Sequence, residues 1–291
     1  MNPKIYLQLL LRIVYLTCAT MFCFAAGVFG SGLVQMSTLI GSGTGLNPWQ
    51  AFVPVLIYSL TIAILFAYII IRSRWFGLKL AIAIFIVMFG LMTVVTQLES
   101  LLFLGSQIAG GILSRIFLSG FIMAGLFAPL AVIIMGRLKP ELDITPNPHL
   151  IMPIPEWVWK VVVIGALYVV LYALFGYFVA WKSPAIQEYY GGSDPGNFFV
   201  HIANRWQATP HMFFFQFGRG ILWMLFALPI IRMHKGVKWE VGLTIALLFA
   251  IWSLQLLMPN PFMPPEVAKV HLVEIFSSNF IFGWIVGFLL A

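Results

Sequence analysis

Eight separate runs of about 20 predominantly apolar residues constrain this chain more than any other feature of its sequence. They lie at roughly 13–35, 50–71, 78–104, 110–136, 157–181, 210–231, 240–258 and 266–290. Each run is long enough to cross the hydrocarbon core of a bilayer as an α-helix. The sequence therefore predicts an all-α integral membrane protein, a helical bundle of eight transmembrane spans in a single polytopic domain.

The composition excludes the other broad classes of chain. Of the 291 residues, 62% are hydrophobic and 9% are charged, whereas soluble domains average about 45–50% and about 25%. These values exclude a soluble enzyme and a disordered chain. Cys18 and Cys23 point about 140° apart on a helix, so we expect them to pack rather than to form a disulfide.

The basic residues predict the orientation of the spans. If the N-terminus is cytoplasmic, 11 of the 16 lysines and arginines fall on the inner side and three on the outer side. Such an excess is typical of cytoplasmic loops, so both termini are expected in the cytoplasm and the protein in the cell membrane as a multi-pass chain. The inner set is Lys4, Arg12, Arg72, Arg74, Lys79, Arg137, Lys139, Lys160, Arg232, Lys235 and Lys238.

The chain can be divided into two halves of four spans each, residues 1–140 and 156–291. In each half the second hairpin loop is short and basic, around Arg72 and around Arg232. A parallel internal duplication is one interpretation of this plan. The other is that any bundle with an even number of spans looks this way.

Six strongly polar side chains fall within the spans, and all of them lie in the outer half of the predicted bilayer. An ionisable group at the bilayer centre costs at least about 2.5–3.5 kcal/mol, so each needs a partner, a cavity or a route to the interface. We predict that the six line one cavity that opens outward and binds a ligand. They are Glu99, Arg115, Gln216, Arg219, His271 and Glu274.

Three interpretations of these residues remain open. They could be structural ion pairs, with Glu99 bound to Arg115 and Glu274 to Arg219. They could bind a ligand, since two arginines offer forked donors to a carboxylate or phosphate. They could be catalytic, with a glutamate as general base and His271 as proton shuttle. On one helical face, His271 is placed to be oriented by Glu274.

The functions that correspond to these interpretations also remain open. The first is transport or sensing of a small polar or anionic ligand, and the second is an intramembrane enzyme acting on a lipid-borne substrate. The third is a structural subunit of a membrane complex. The sequence has no histidine and cysteine spacing typical of a metal site, so no metal is expected. It indicates no cofactor. The expected partner is the lipid bilayer, with no nucleic acid; a homo-oligomer or a larger membrane complex stays open.

Two local patterns complete the prediction. In the outer segment 182–210, Ser193-Asp194-Pro195 resembles a helix N-cap followed by proline. The helix after it would carry an apolar face of Phe198, Phe199, Ile202 and Trp206 and lie at the membrane interface, as a connector or a lid. In the last span, Gly283-x-x-x-Gly287 favours close helix packing within the chain over a dimer contact.

Overall fold

The computed structural model describes residues 3–33, 48–104, 111–140, 149–259 and 263–291. Within these residues the chain is all-helical and has no strand. Eight of its helical segments are long and apolar enough to cross a membrane. The predicted fold class is confirmed to that extent. Residues 34–47, between the first two spans, and 105–110, between the third and fourth, lie outside the described residues.

Within the described ranges, eleven α-helices and three irregular helical segments follow one another. The α-helices are α1 Pro3–Gly30, α2 Pro48–Ile71, α3 Gly77–Phe89, α4 Thr96–Leu104, α5 Ile112–Ile134, α6 Ile154–Phe175, α7 Pro184–Tyr190, α8 Phe198–Ala208, α9 Pro210–Met233, α10 Lys238–Ala250 and α11 Pro265–Leu290. A π-helical segment, π1 (Gly90–Val95), joins α3 to α4, and a second, π2 (Gly176–Trp181), continues α6. A 3-10 segment, Ile251–Leu257, extends α10.

The first helix begins earlier than the sequence predicts. The expected span was 13–35, but α1 runs from Pro3 to Gly30 and includes Arg12. The Arg12 guanidinium donates to the carbonyl oxygen of Met135 (Nη1 to O, 2.8 Å). Because Arg12 has this partner, the helix can extend through it. The apolar run therefore underestimates the length of α1.

The contacts divide the chain into two units. Unit 1 comprises Met1–Asn147 with Arg232–Gly236, and unit 2 comprises Pro148–Ile231 with Val237–Ala291. In unit 1, α1 packs against α2 and α5, and α3 packs against α5. In unit 2, α11 packs against α10, α6 and π2. An internal duplication stays a prediction.

The closest helix packing in unit 2 is that of α11 on α10, and it depends on two glycines. A Cβ added at Gly283 would lie 2.5 Å from the carbonyl oxygen of Ile245, and one at Gly287 would lie 2.8 Å from the Cα of Gly242. Both contacts are to backbone, which cannot rotate away as a side chain can. The sequence prediction that this glycine pair packs within the chain is confirmed.

We expect Gly283→Val to destabilise unit 2 by about 1–3 kcal/mol, because the added side chain forces α10 and α11 apart. The measurement is thermal unfolding of the purified protein in detergent. Gly218→Ala is the matched control, since a Cβ at Gly218 meets nothing within 4 Å. Equal melting temperatures for the two variants would contradict the close packing.

Candidate functional site

A continuous hydrogen-bonded chain of three side chains joins the end of α7 to the first half of α11 in unit 2. His271 and Glu274 lie one turn apart, and the imidazole Nδ1 is 2.8 Å from the carboxylate Oε2. The Tyr190 hydroxyl, at the end of α7, is 3.2 Å from the other imidazole nitrogen, Nε2. We call Tyr190, His271 and Glu274 the relay. The predicted orientation of His271 by Glu274 is confirmed.

The relay runs from an exposed group to a shielded one. Tyr190 is 44% exposed, whereas the side chains of His271 and Glu274 are 16% and 14% exposed. At its inner end, a Cβ at Gly176 would lie 3.8 Å from the Glu274 Oε1. Glu274 therefore faces the start of π2, and π-helical turns are common at functional sites.

Helix α7 is what places Tyr190 over His271. Its buried residue Ile186 packs with Ala180 of π2 and Val267 of α11. The Gln187 amide donates to the carbonyl oxygen of Trp181 (2.8 Å). At the end of α7, Gly191 takes a positive φ of 68°, which ends the helix beside Tyr190. Such a conformation strains any residue with a Cβ.

The relay can hold or move one proton at defined atoms. A neutral imidazole has one N–H donor and one acceptor nitrogen. The carboxylate of Glu274 holds the proton on Nδ1, so Nε2 is left to accept from the Tyr190 hydroxyl. With a second proton on the ring, Nε2 becomes a donor and no longer accepts the hydrogen bond from the Tyr190 hydroxyl.

A second polar pair lies in the interior of unit 2, on α9. Gln216 is fully buried and Arg219 is 6% exposed. The Arg219 Nη1 is 3.4 Å from the Gln216 Oε1. The guanidinium also lies over the Tyr168 ring of α6, with 5.7 Å between its carbon and the ring centroid. This cation–π contact and the hydrogen bond keep a positive charge inside the span.

The two polar pairs of unit 2 meet the fifth span at different levels. Arg219 contacts it at Tyr168 and Glu274 at Gly176. Eight residues of helix separate these positions, which corresponds to about 12 Å. Glu274 pairs with His271 on its own helix, and the ion pair that the sequence suggested between Arg219 and Glu274 stays a prediction.

In unit 1 the two remaining predicted residues lie on α4 and α5. Glu99 is partly buried in α4, the last part of the third span. The Arg115 Nη1 donates to the carbonyl oxygen of Ser31, just after α1 (3.0 Å). Arg115 thus connects the end of α1 to the first turn of α5. That all six residues share one cavity stays a prediction.

The segment between π2 and α9 contains contacts that the sequence analysis missed. The Lys182 ammonium is 2.9 Å from the Asp194 carboxylate, which also accepts the backbone N–H of Gly196 (2.9 Å). The hydroxyl of Tyr177 donates to the Gly196 carbonyl oxygen. The hydrogen bond from Lys182, together with that from Gly196, lowers the pKa of Asp194. The sequence feature that could have indicated these contacts is the cluster of tyrosines, glycines and Asp194 that follows Lys182.

The expected N-cap in this segment was wrong. Asp194 bonds to Lys182 and Gly196, and α8 begins four residues later, at Phe198. Its N-cap is Asn197, whose side chain accepts from the backbone N–H of Phe199 (2.9 Å). The expected apolar face is split, because Phe198 packs on Tyr177 while Phe199 is 78% exposed.

His201 on α8 lies between aromatic rings and a positive charge. Its ring centroid is 5.6 Å from that of Tyr177 and 6.3 Å from that of Trp181. The Arg205 guanidinium lies 5.0 Å above the same Trp181 ring. Burial lowers the pKa of His201 below the usual 6.5, and the charge of Arg205 lowers it further. His201 is therefore neutral at pH 7.

We expect α8 to loosen as the pH falls below 6.5. The unfolded histidine takes up its proton first, so the stability contributed by neutral His201 is complete above pH 6.5 and is lost as the pH falls through its lowered pKa. Hydrogen exchange of the α8 amides at pH 7.5 and 5.0 measures the loss. In His201→Gln the dependence should disappear; an unchanged pH dependence in this variant would contradict the assignment.

Neither metal-ligating side chains nor similarity to known proteins indicates a function. Within the described ranges, no three His, Cys, Asp or Glu side chains are grouped so that they could hold a metal ion. No protein-family model, curated protein or solved structure matches the chain.

Proposed function

We propose that the protein is a multi-pass protein of the cell membrane that receives a small polar or anionic ligand from the outer side, for transport or sensing, and that ligand binding is linked to protonation of the relay. The relay is the observation that carries the proposal. Two ionisable side chains in contact within a span are costly to maintain. A hydroxyl that connects them to the exterior gives a proton an entry path.

Arg219 supports the preference for an anion. It is a buried cation of unit 2, held by Gln216 and by the Tyr168 ring. A guanidinium offers forked donors to a carboxylate or a phosphate. The relay supplies the proton that would accompany such an anion into a medium of low dielectric constant, because a neutralised pair is less costly to bury than a lone charge.

Proton linkage can be measured by titration calorimetry with succinate and with inorganic phosphate, in buffers that differ in ionisation enthalpy. We expect binding of at least one anion with proton uptake at pH 7. In His271→Gln the uptake should disappear and the affinity should fall by about tenfold or more, the loss of one charge-assisted hydrogen bond.

Lys269→Gln is the matched control for this measurement, because Lys269 is exposed, lies two residues before His271 and should leave binding unchanged. Proton uptake that persists in His271→Gln would reject the relay as the linked group. Binding of neither anion by the wild-type protein would reject the choice of ligand class.

The orientation proposed here has a separate test. Both termini are taken to be cytoplasmic, with residues 182–210 outside, because of the distribution of the basic residues. In a Cys18→Ala, Cys23→Ala background, we expect Ser193→Cys in intact cells to react with an impermeant maleimide. Lys238→Cys, an exposed position on the opposite predicted side, should react only after the membrane is opened. The reverse pattern would invert the topology.

An intramembrane enzyme acting on a lipid-borne substrate is the second candidate, and the order of the relay favours it. A carboxylate orients an imidazole, and the imidazole contacts a hydroxyl; this is the arrangement of an activated nucleophile or of a general base. Incubation with phosphatidylglycerol vesicles followed by mass spectrometry of the lipids tests it. New lipid products that disappear in Tyr190→Phe would favour the enzyme over the carrier.

A further inference from the structure

Three segments of unit 1 meet at the buried residue Ser73. They are the α2–α3 loop, the residues after α5 and the segment Arg232–Gly236. Arg12 of α1 is joined to the residues after α5 by its hydrogen bond to the Met135 carbonyl oxygen. Ser73 pairs with His234 as an isolated antiparallel bridge. The carbonyl oxygen of Ser73 accepts a hydrogen bond from the Arg137 guanidinium (Nη2, 2.6 Å). The loops are thus held in one arrangement by hydrogen bonds.

Further backbone hydrogen bonds connect these loops. The N–H of Arg74 donates to the carbonyl oxygen of Met233 (2.7 Å), and that of Lys235 donates to Arg72 (2.8 Å). The N–H of Gly77 donates to the carbonyl oxygen of Arg137 (2.8 Å). These hydrogen bonds join backbone atoms, so the side chains of Arg74 and Lys235 can be replaced without loss of these bonds.

The junction gathers positive charge. The segments 72–79, 135–139 and 232–236 contain no acidic residue. Glu141 and Asp143, which follow Lys139 in the sequence, lie outside the described residues. We call this group of cations the basic junction: Arg12, Arg72, Arg74, Lys79, Arg137, Lys139, Arg232 and Lys235.

Apolar side chains beside the basic junction place it at the level of lipid headgroups. Leu78 is 75% exposed and Leu138 57% exposed, next to Lys79 and Arg137. The Lys79 ammonium lies 4.2 Å from the centroid of the Trp75 ring. Tryptophan and lysine side by side are typical of the membrane–water interface, where the ring is partly buried and the charge reaches water.

A general excess of basic residues on one side accounts for the presence of these charges but not for their convergence. A loop that serves topology alone needs no fixed shape, whereas here three segments meet at Ser73 and Arg12 joins them through Met135. Arg12 and Arg137 are held by carbonyl oxygens of the same junction. Fixed guanidinium groups at the headgroup level are suited to bind phosphate, which they can contact with two donors each.

We propose that the basic junction binds a phosphate group, that of an anionic lipid headgroup or of a soluble phosphate compound. The neighbouring exposed leucines favour the lipid, because its acyl chains would cover them while its phosphate meets the arginines. The site is separate from the relay in residues, and it does not depend on the proposed function.

Trp75 provides a reporter for the test. The protein is reconstituted in phosphatidylcholine vesicles that contain increasing amounts of dibrominated phosphatidylglycerol or dibrominated phosphatidylcholine. We expect stronger quenching of tryptophan fluorescence by the brominated phosphatidylglycerol, and the excess should disappear in Trp75→Phe. In Arg74→Gln/Lys235→Gln the lipid concentration for half-maximal excess quenching should rise about fivefold for each charge removed.

The control variant is Arg205→Gln/Lys269→Gln, which removes two exposed positive charges from unit 2 and should leave the excess unchanged. Competition identifies the source of the phosphate. If inorganic phosphate or pyrophosphate protects the detergent-solubilised wild-type protein against thermal unfolding, but not the Arg74→Gln/Lys235→Gln variant, and no lipid preference is seen, the ligand is a soluble phosphate compound. Equal quenching by both lipids without such protection overturns the proposal.

Discussion

Every polar group that these helices carry into the hydrocarbon has to be satisfied within the protein, since lipid offers no hydrogen bonds. The hydroxyls of Thr17 and Thr20 donate back to the carbonyl oxygens of Ile13 and Leu16 (2.9 and 2.7 Å). Arg115 meets the same requirement across two helices, and His271 does so through Glu274. The candidate site is a special case of this constraint, with ionisable partners in place of neutral ones.

The same constraint explains why the irregular parts of the spans remain helical. In π1 and π2 the backbone still bonds to itself, but each π-turn inserts a residue and rotates the side chains that follow. Thr93 in π1 is almost fully buried, and Thr96 just after it donates to the Met92 carbonyl oxygen (2.5 Å). The side chains that follow π1, from Thr96 to Ser100, are therefore rotated about the helix axis relative to their positions in a regular α-helix.

Contacts within one helix were easier to predict than contacts between helices. The pair of His271 and Glu274 follows from their spacing of three residues alone, because such residues share a helical face. Depth along a span could also be counted, and it brought Arg219 and Glu274 to the same level. The packing of α6 and π2 shows that these two residues meet the fifth span about two helical turns apart. Counting from the end of an apolar run gives a position along one helix, and it does not give the contacts that the helix makes with its neighbours.

By itself, the sequence determined that the chain is helical, that it has eight segments suited to a membrane, and that His271 and Glu274 share a face. Those properties follow from hydropathy and from the 3.6-residue period, which are local. Only the tertiary structure decided that Tyr190 completes the relay, that Asn197 caps α8 and that three basic segments meet at Ser73. These are contacts between residues far apart in the chain or choices between neighbouring caps. Packing selects among them, and no local pattern encodes the result.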